Sequence, residues 1–582
     1  MSNSTTGEIG RRLLPAIIDE VARDDPNRAW ASLPIDDYDL SQGFEDITYA
    51  AFANAINKLA HFIEKAFGRS DKFDTIIYLG IPDIRYYMLP YAACKTGHKV
   101  FFSSPHNPLE THLDLIERTQ CTAIMLARGV YARDIVNHHP MPKTEIPELD
   151  DLLDLSDVAP LYPYTRTWEE AKTEPLVVCH SSGNTSDPRP VTFTHASMAC
   201  FDNQTELPDV DGRGHWTWQC GPGVRYFMIA SPFHPIAVAI AMAVGGFGGG
   251  ILVPGFRHRA TTEISDVCEI IKGSKATTGF IPFFLADVIA RLPDAEEIIK
   301  QFDSMAYGNG SNTGTVTHYG GEIWSRHTKF QNIWGGADCL TPPVLVADPE
   351  DYEYNYFDME AGGIRFQERD LEYYDEDGSR LPLYELILTQ TPQSQKFAGY
   401  WAGQGITEAP SGPPYPELPT AEVWTPHPDP NKSSYAWRFV SRLYDLEMGN
   451  EFSLAMETAI DNLEKVQKSI VLSKYDQQPV ALVELARGLE VEAASDIWQQ
   501  AIEPQNEDVP EHSRIPQTHV IPVPFGSFIR GTEGHLNRKQ TEKKYASDID
   551  AVYGRGQKKM SIAERPRYES IIATTEIVQS VD

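Results

Sequence analysis

The sequence predicts an α/β protein: a large N-terminal body of parallel-sheet α/β subdomains with added antiparallel strands, then a small α+β C-terminal domain. Three observations carry this. The 582 residues exceed what one hydrophobic core organises. Residues 75–127 alternate short apolar runs with helical spacing, the order that builds a parallel sheet with right-handed crossovers. Near Val440 the pattern changes to a compact mixture of helix and strand. The expected limits are 10–440 for the body, 441–550 for the small domain and 551–582 for a charged and polar tail.

Each element follows from its residues. Thr75-Ile76-Ile77-Tyr78-Leu79 is a short apolar strand, residues 82–96 have helical spacing, and Gly97 gives the stop signal. Lys99-Val100-Phe101-Phe102 is the next strand, 109–119 a helix and 122–126 a third strand. The rhythm returns with strands at 226–230 and 250–253 and helices at 263–271 and 283–292. From 343 to 390, short aromatic alternations such as Tyr352-Glu353-Tyr354-Asn355-Tyr356 predict antiparallel strands, and 403–419, rich in Gly and Pro, predicts a loop. In the small domain the pattern predicts helices at 456–468 and 490–501 and strands at 469–472 and 480–483.

A net charge of −32 argues against nucleic acid or an anionic membrane surface as a partner. The longest uncharged run, 226–256, is broken by prolines and by Gly245-Gly246-Phe247-Gly248-Gly249-Gly250, so it reads as a buried helix, a glycine turn and a buried strand rather than a membrane span. Seven cysteines without a CxxC pair read as small buried hydrophobes in a reducing compartment, which sets the expectation of a cytoplasmic protein. His138-His139 lacks neighbours at metal-ligand spacing.

The apolar run Pro175-Leu176-Val177-Val178-Cys179 leads into His180-Ser181-Ser182-Gly183-Asn184-Thr185-Ser186-Asp187-Pro188-Arg189. A strand followed by small polar residues offers backbone N–H groups that converge on phosphate oxygens. With Leu13-Leu14-Pro15, Gly68-Arg69-Ser70-Asp71, Ser104-Pro105-His106-Asn107, Trp424-Thr425-Pro426-His427-Pro428 and Trp437-Arg438-Phe439, this order of motifs resembles the adenylate-forming enzymes from about residue 10 to 550. It is most similar to the adenylation region of fungal adenylate-forming reductases and related nonribosomal-peptide-synthetase-like proteins. That resemblance implies a body that binds ATP and a carboxylic acid, and a small mobile domain that rotates over the site. It also implies a chain without the carrier and reductase domains of the full reductases, hence no phosphopantetheine on this chain.

The resemblance assigns site residues one by one. The family's phosphate loop is Ser-Gly-Ser/Thr-Thr-Gly-x-Pro-Lys; Ser181, Ser182, Gly183 and Thr185 hold their places, whereas Asn184, Ser186 and Arg189 are replacements. His234, in Pro232-Phe233-His234-Pro235, falls where the family lines its acid pocket, and Gly308 in the turn under the adenine. The family's Tyr-Gly-x-Thr-Glu becomes Trp334-Gly335-Gly336-Ala337-Asp338, with Asp338 as the expected Mg²⁺ ligand through a shorter arm. The ribose motif Thr-Gly-Asp reads Thr420-Ala421-Glu422. The hinge motif Gly-Arg-x-Asp reads Ser441-Arg442-Leu443-Tyr444-Asp445, keeping Arg442. Where a lysine usually stabilises the pentavalent phosphorus, this chain has Glu533 or His535, and loss of one such group commonly costs about 10²–10³ in rate.

Three activities follow as expectations. One is acyl-AMP formation from a small carboxylic acid in specialised metabolism, with an atypical ATP site and a separate carrier or reductase protein as acceptor. Another is a different transformation of a pathway intermediate on the same scaffold, with His234 or His195 as acid/base. The last is a non-catalytic binding homologue.

Overall fold

The computed structural model describes residues 8–555, apart from 106, 131, 182–187, 217–220, 260–262, 310–317, 338–339, 372, 374–379, 403–415, 444–445, 447–452, 462, 464, 473–477, 490, 492–495, 508, 510 and 531–535. The chain divides into two compact units, the first Met1–Leu443 with Arg530–Asn537, the second Tyr444–Ile529 with the segment from Arg538 onward.

Three sheets build the first unit. One runs Lys143–Glu145, Cys121–Leu126, Thr75–Leu79, Lys99–Phe102, Pro175–His180, Pro190–Thr194, parallel until its last, antiparallel pair. The second runs Lys329–Trp334, Ser304–Asn309, Thr278–Pro282, Arg225–Met228, Ile251–Val253, Ala29–Pro34, Phe44–Thr48, again parallel until its last pair. Their central strands, such as Thr75–Leu79 and Pro175–His180, are buried on both faces, as interior parallel strands must be. The third is antiparallel: Asn355–Tyr356, Ala436–Arg442, Glu417–Pro426, Leu383–Thr389, Ile364–Arg369.

Helices Tyr49–Phe67 and Arg85–Lys95 pack into the largest core. Trp30 stacks on Phe52 at 3.7 Å and 11°, and every residue of Arg85–Lys95 is buried. Burial forces its charges to pair: Arg85 forks onto Asp83 at 2.6–3.1 Å, and Lys95 meets Asp19 at 2.7 Å and Asn57 at 3.0 Å. The uncharged run folds as helix Pro235–Met242, a wide turn Ala243–Gly248 and strand Ile251–Val253. No described helix is long and apolar enough to cross a membrane. Cys94, Cys121, Cys179, Cys200 and Cys268 are all buried as free thiols.

In the second unit, Val466–Leu472, Val480–Leu485 and Val520–Val523 form a three-stranded sheet around its own core. Here the structure corrects the sequence reading. The helix expected over 456–468 is Ser453–Asp461, and the strand starts at Val466, because Val466–Leu472 pairs along its length with Val480–Leu485 and buries Val466, Ile470 and Val471. Within the helix expected over 490–501, the described residues show a π-helical turn Trp498–Ile502 that continues into helix Glu503–Glu507. In the first unit, the aromatic alternation at 352–356 yields only the two-residue strand Asn355–Tyr356 after the 3-10 turn Pro349–Asp351, and the expected loop already becomes strand at Glu417.

Candidate functional site

The phosphate-loop region begins where two antiparallel strands part. His180 pairs with Pro190, the Ser181 N–H donates to the Arg189 carbonyl at 2.9 Å, and the Arg189 N–H donates to Ser181 Oγ at 3.0 Å. Ser181 therefore clamps the base of the loop, and the Arg189 side chain stands exposed beside it. Ser182, Gly183, Asn184 and Thr185 lie outside the described residues, as do Asp338, Tyr444, Asp445, Glu533 and His535.

Sequence reading missed the residue just before this clamp. His180 is buried, and its Nε2 accepts the Ser104 N–H at 3.0 Å, so the proton sits on Nδ1 and is donated to the Ser181 carbonyl at 2.9 Å. Asn107 approaches Nε2 at 3.4 Å and donates to Ser103 Oγ at 3.1 Å, and that hydroxyl meets His112 Nδ1 at 2.8 Å. Burial pushes both His180 and His112 down to about 4, with His234 further disfavouring a charge on His180. This ties the segment Ser103–Asn107 to the loop base through a neutral imidazole.

Gly308 is the penultimate residue of the strand Ser304–Asn309, and a Cβ there would stand 2.6 Å from the Phe280 ring. Only hydrogen fits, so the backbone comes close to the aromatic floor. Trp334 closes the neighbouring strand, buried, with its ring edge-on to Phe357 at 6.1 Å and to Trp424 at 6.2 Å. Its indole N–H donates to the Glu422 carboxylate at 2.6 Å. Two motifs separated by 88 positions thereby meet. Glu422 is itself buried, and across the sheet it pairs with Arg442, whose backbone ends the strand Ala436–Arg442.

Ala421, where the resembling family carries glycine, adopts φ +57°, the left-handed region. Its N–H donates to the Glu385 carboxylate at 3.0 Å, and Thr420 Oγ1 donates to the Leu386 carbonyl at 2.8 Å while accepting the Glu422 N–H at 3.2 Å. Arg369 pairs with Glu385 from the next strand. The turn is held rigidly enough to keep an alanine where glycine is easier.

His234 caps the helix Pro235–Met242, its Nδ1 accepting the Ile236 N–H at 3.3 Å, and the helix starts there because Pro235 fits the first turn. His195 is elsewhere in role. It is buried in helix His195–Gln204 with Nε2 3.2 Å from the Tyr164 hydroxyl and 3.4 Å from Cys94 Sγ, and burial pushes it down to about 4. These contacts place it in the core beside Cys94 and Tyr164.

A second missed residue is Asn332. It shares a strand face with Trp334, is 1% exposed, and neither Nδ2 nor Oδ1 has a hydrogen-bond partner. A buried amide with both functions unmet normally costs about 1–3 kcal/mol. No sequence signal distinguishes it from an ordinary strand asparagine.

Asp348, Glu350 and Asp351 bring carboxylate oxygens within metal-ligand range of one another. The Lys432 ammonium already contacts all three, at 2.9, 3.5 and 2.6 Å, so this acidic group does not suit a divalent cation.

The sequence profile of the AMP-binding enzymes matches residues 19–340, and that of the AMP-binding enzyme C-terminal domain matches 446–557. The chain is 24% identical to a carboxylic acid reductase of Neurospora crassa over 98% of its own length and 53% of that protein's. It is 24% identical to an isocyanide synthase–NRPS hybrid of Aspergillus fumigatus, over 95% of its own length and 34% of that protein's. The chain thus spans about half or less of these relatives. Among solved structures, ATP-bound MatB of Rhodopseudomonas palustris superimposes with a TM-score of 0.62 at 13% identity, covering 92% of this chain and all of that one. The o-succinylbenzoate coenzyme A synthetase of Bacillus subtilis, in complex with ATP and magnesium ion, gives 0.60 at 13%, covering 90% of this chain and 99% of that one. The fold is that of the adenylate-forming ligases. The chain belongs to the AMP-binding enzyme family.

Proposed function

We propose that this protein binds ATP and activates a small carboxylic acid as its acyl-AMP, at a site that includes Ser181, Arg189, Gly308, Asn332, Trp334 and Glu422. The observation that carries the reading is the 2.6 Å contact between Trp334 and Glu422. It joins the end of a parallel strand to the bulged strand of the antiparallel sheet, where two of the motifs meet. Adenine would lie against the Gly308 backbone, with the unmatched Asn332 amide offering a donor and an acceptor to its edge. Glu422 would accept ribose hydroxyls. The loop 182–187, with Ser182, Gly183, Asn184 and Thr185, would take the phosphates, and Asp338 would hold Mg²⁺. His234 would face the acid and Arg442 would stand at the hinge. We read 10–440 as the body that holds the site and 441–550 as a separate small domain. The acyl-AMP would pass to a separate carrier or reductase protein, as a step of specialised metabolism in the cytoplasm.

A second reading has its own support. Glu533 or His535 stands where the family's lysine is expected, which favours nucleotide binding without adenyl transfer. ATP–pyrophosphate exchange over a panel of aryl and aliphatic acids separates the two. Exchange with at least one acid supports acyl-AMP formation. Calorimetric ATP binding without any exchange supports the second reading, and no ATP binding by the folded protein refutes both. Asn332→Leu adds an independent check. Removing a buried, unmatched amide should raise stability by about 1–3 kcal/mol while weakening ATP binding. Stabilisation with unchanged ATP affinity would remove Asn332 from the site.

A further inference from the structure

The aspartate-to-glutamate replacement at 422 poses a geometric problem. A glutamate has one more rotatable bond than aspartate, so its carboxylate sweeps a larger volume and loses more freedom when it binds. The backbone beneath it is fixed by the Ala421, Thr420 and Glu385 hydrogen bonds, and cannot shift to absorb the extra methylene. Only the side chain remains to be held. Trp334 does this: its ring is locked between Phe357 and Trp424, and its N–H reaches Glu422 Oε2 at 2.6 Å. A tyrosine at 334, the family's residue, has no N–H at this place on the ring.

We propose that Trp334 is a positioning residue for the ribose-reading carboxylate, and that Trp334 and Glu422 work as a pair replacing tyrosine and aspartate. This rests on the reading of Glu422 as a ribose acceptor. The tryptophan acts through the carboxylate: its N–H fixes where the longer side chain presents its charge, and so sets how strongly the site distinguishes ATP from nucleotides lacking a ribose hydroxyl. The two replacements make sense together and are each disruptive alone.

The test is calorimetric binding of ATP, 2′-deoxy-ATP and 3′-deoxy-ATP to wild type, Glu422→Gln, Trp334→Tyr and the double variant Trp334→Tyr/Glu422→Asp, with urea unfolding of each. Losing a hydrogen bond to a charged group should weaken ATP binding roughly tenfold or more in Trp334→Tyr, and narrow its preference for ATP over the deoxy analogues by a similar factor. The double variant should recover that preference, because the shorter carboxylate needs no indole to hold it. A merely structural tryptophan would lower unfolding stability and weaken all three nucleotides equally, with no recovery in the double variant. That result overturns the inference, as does an unchanged preference in Trp334→Tyr while Glu422→Gln abolishes it. If wild type shows no preference and Glu422→Gln changes nothing, the ribose-acceptor reading itself fails and takes the pairing with it. Should Trp334→Tyr not fold, Trp334→Phe and Trp334→His are read the same way, with only the histidine, which keeps an N–H, expected to retain the preference.

Discussion

Lowering the pH from 7.5 to 4.5 should destabilise this protein in a way that one substitution, His180→Gln, partly removes. His180 is buried at the base of the loop, and Nε2 is committed as an acceptor for the Ser104 N–H. A proton on that nitrogen would break the bond and place a charge in the core. Burial therefore holds the imidazole down to about 4 from an ordinary value of 6.5. The sign follows from linkage. Between those two values the unfolded chain binds the proton and the folded one does not, so stability falls as the pH drops from about 6.5 towards 4, and no penalty exists above that window. Two and a half pH units at about 1.4 kcal/mol each make this about 3.5 kcal/mol for His180 alone, of which about 2.8 kcal/mol is reached by pH 4.5. Glutamine keeps an oxygen that can accept from Ser104 but cannot titrate. His195 titrates in both proteins and cancels from the difference, whereas His112, which His180 helps to hold down, shifts slightly with the substitution. Urea unfolding at pH 7.5, 6.5, 5.5 and 4.5 measures it. The stability of wild type relative to His180→Gln should be constant above pH 6.5, then decline by about 1.4 kcal/mol per pH unit below it. A difference independent of pH, or one that grows as the pH falls, would refute the assignment of His180 as a neutral acceptor.

Two further outcomes follow from the same kind of accounting. Arg85→Met should cost about 3–5 kcal/mol in urea unfolding, because Asp83 is fully buried and would lose its forked partner; Asp83→Asn/Arg85→Met should recover much of this, and a double variant as unstable as the single would contradict the ion-pair argument. Ala421→Gly should stabilise the protein by about 0.5–1 kcal/mol, since relief of a left-handed alanine outweighs the added freedom of glycine in the unfolded chain, whereas Ala421→Val should destabilise it; a lower urea midpoint for Ala421→Gly would show that the turn has no strain to relieve.

Much of the body was readable because its signals are local. The strand Thr75–Leu79, the helix Leu109–Thr119 and the strand Lys99–Phe102 follow from apolar runs and stop signals that belong to those residues alone. The motif order likewise pointed to Gly308, Trp334 and Glu422, since each sits in a short recognisable string. The helix expected over 456–468 stopped early for the opposite reason. Val466 and Ile470, four apart, fit a helical stripe as well as a strand face, and only the partner strand Val480–Leu485 decides between them.

By itself the sequence determined the class: α/β alternation, the change of style near Val440, and the residue types at the motifs expected to meet phosphate, adenine and ribose. These rest on periodicity and on short strings, which one chain segment carries alone. The tertiary structure decided what those residues touch. It brought Trp334 onto Glu422, left Asn332 without partners beside them, and tied neutral His180 between Ser104 and Ser181. It also buried His195 against Cys94 and Tyr164. Hydrogen bonding and burial depend on groups far apart in the chain, so no reading of one segment contains them.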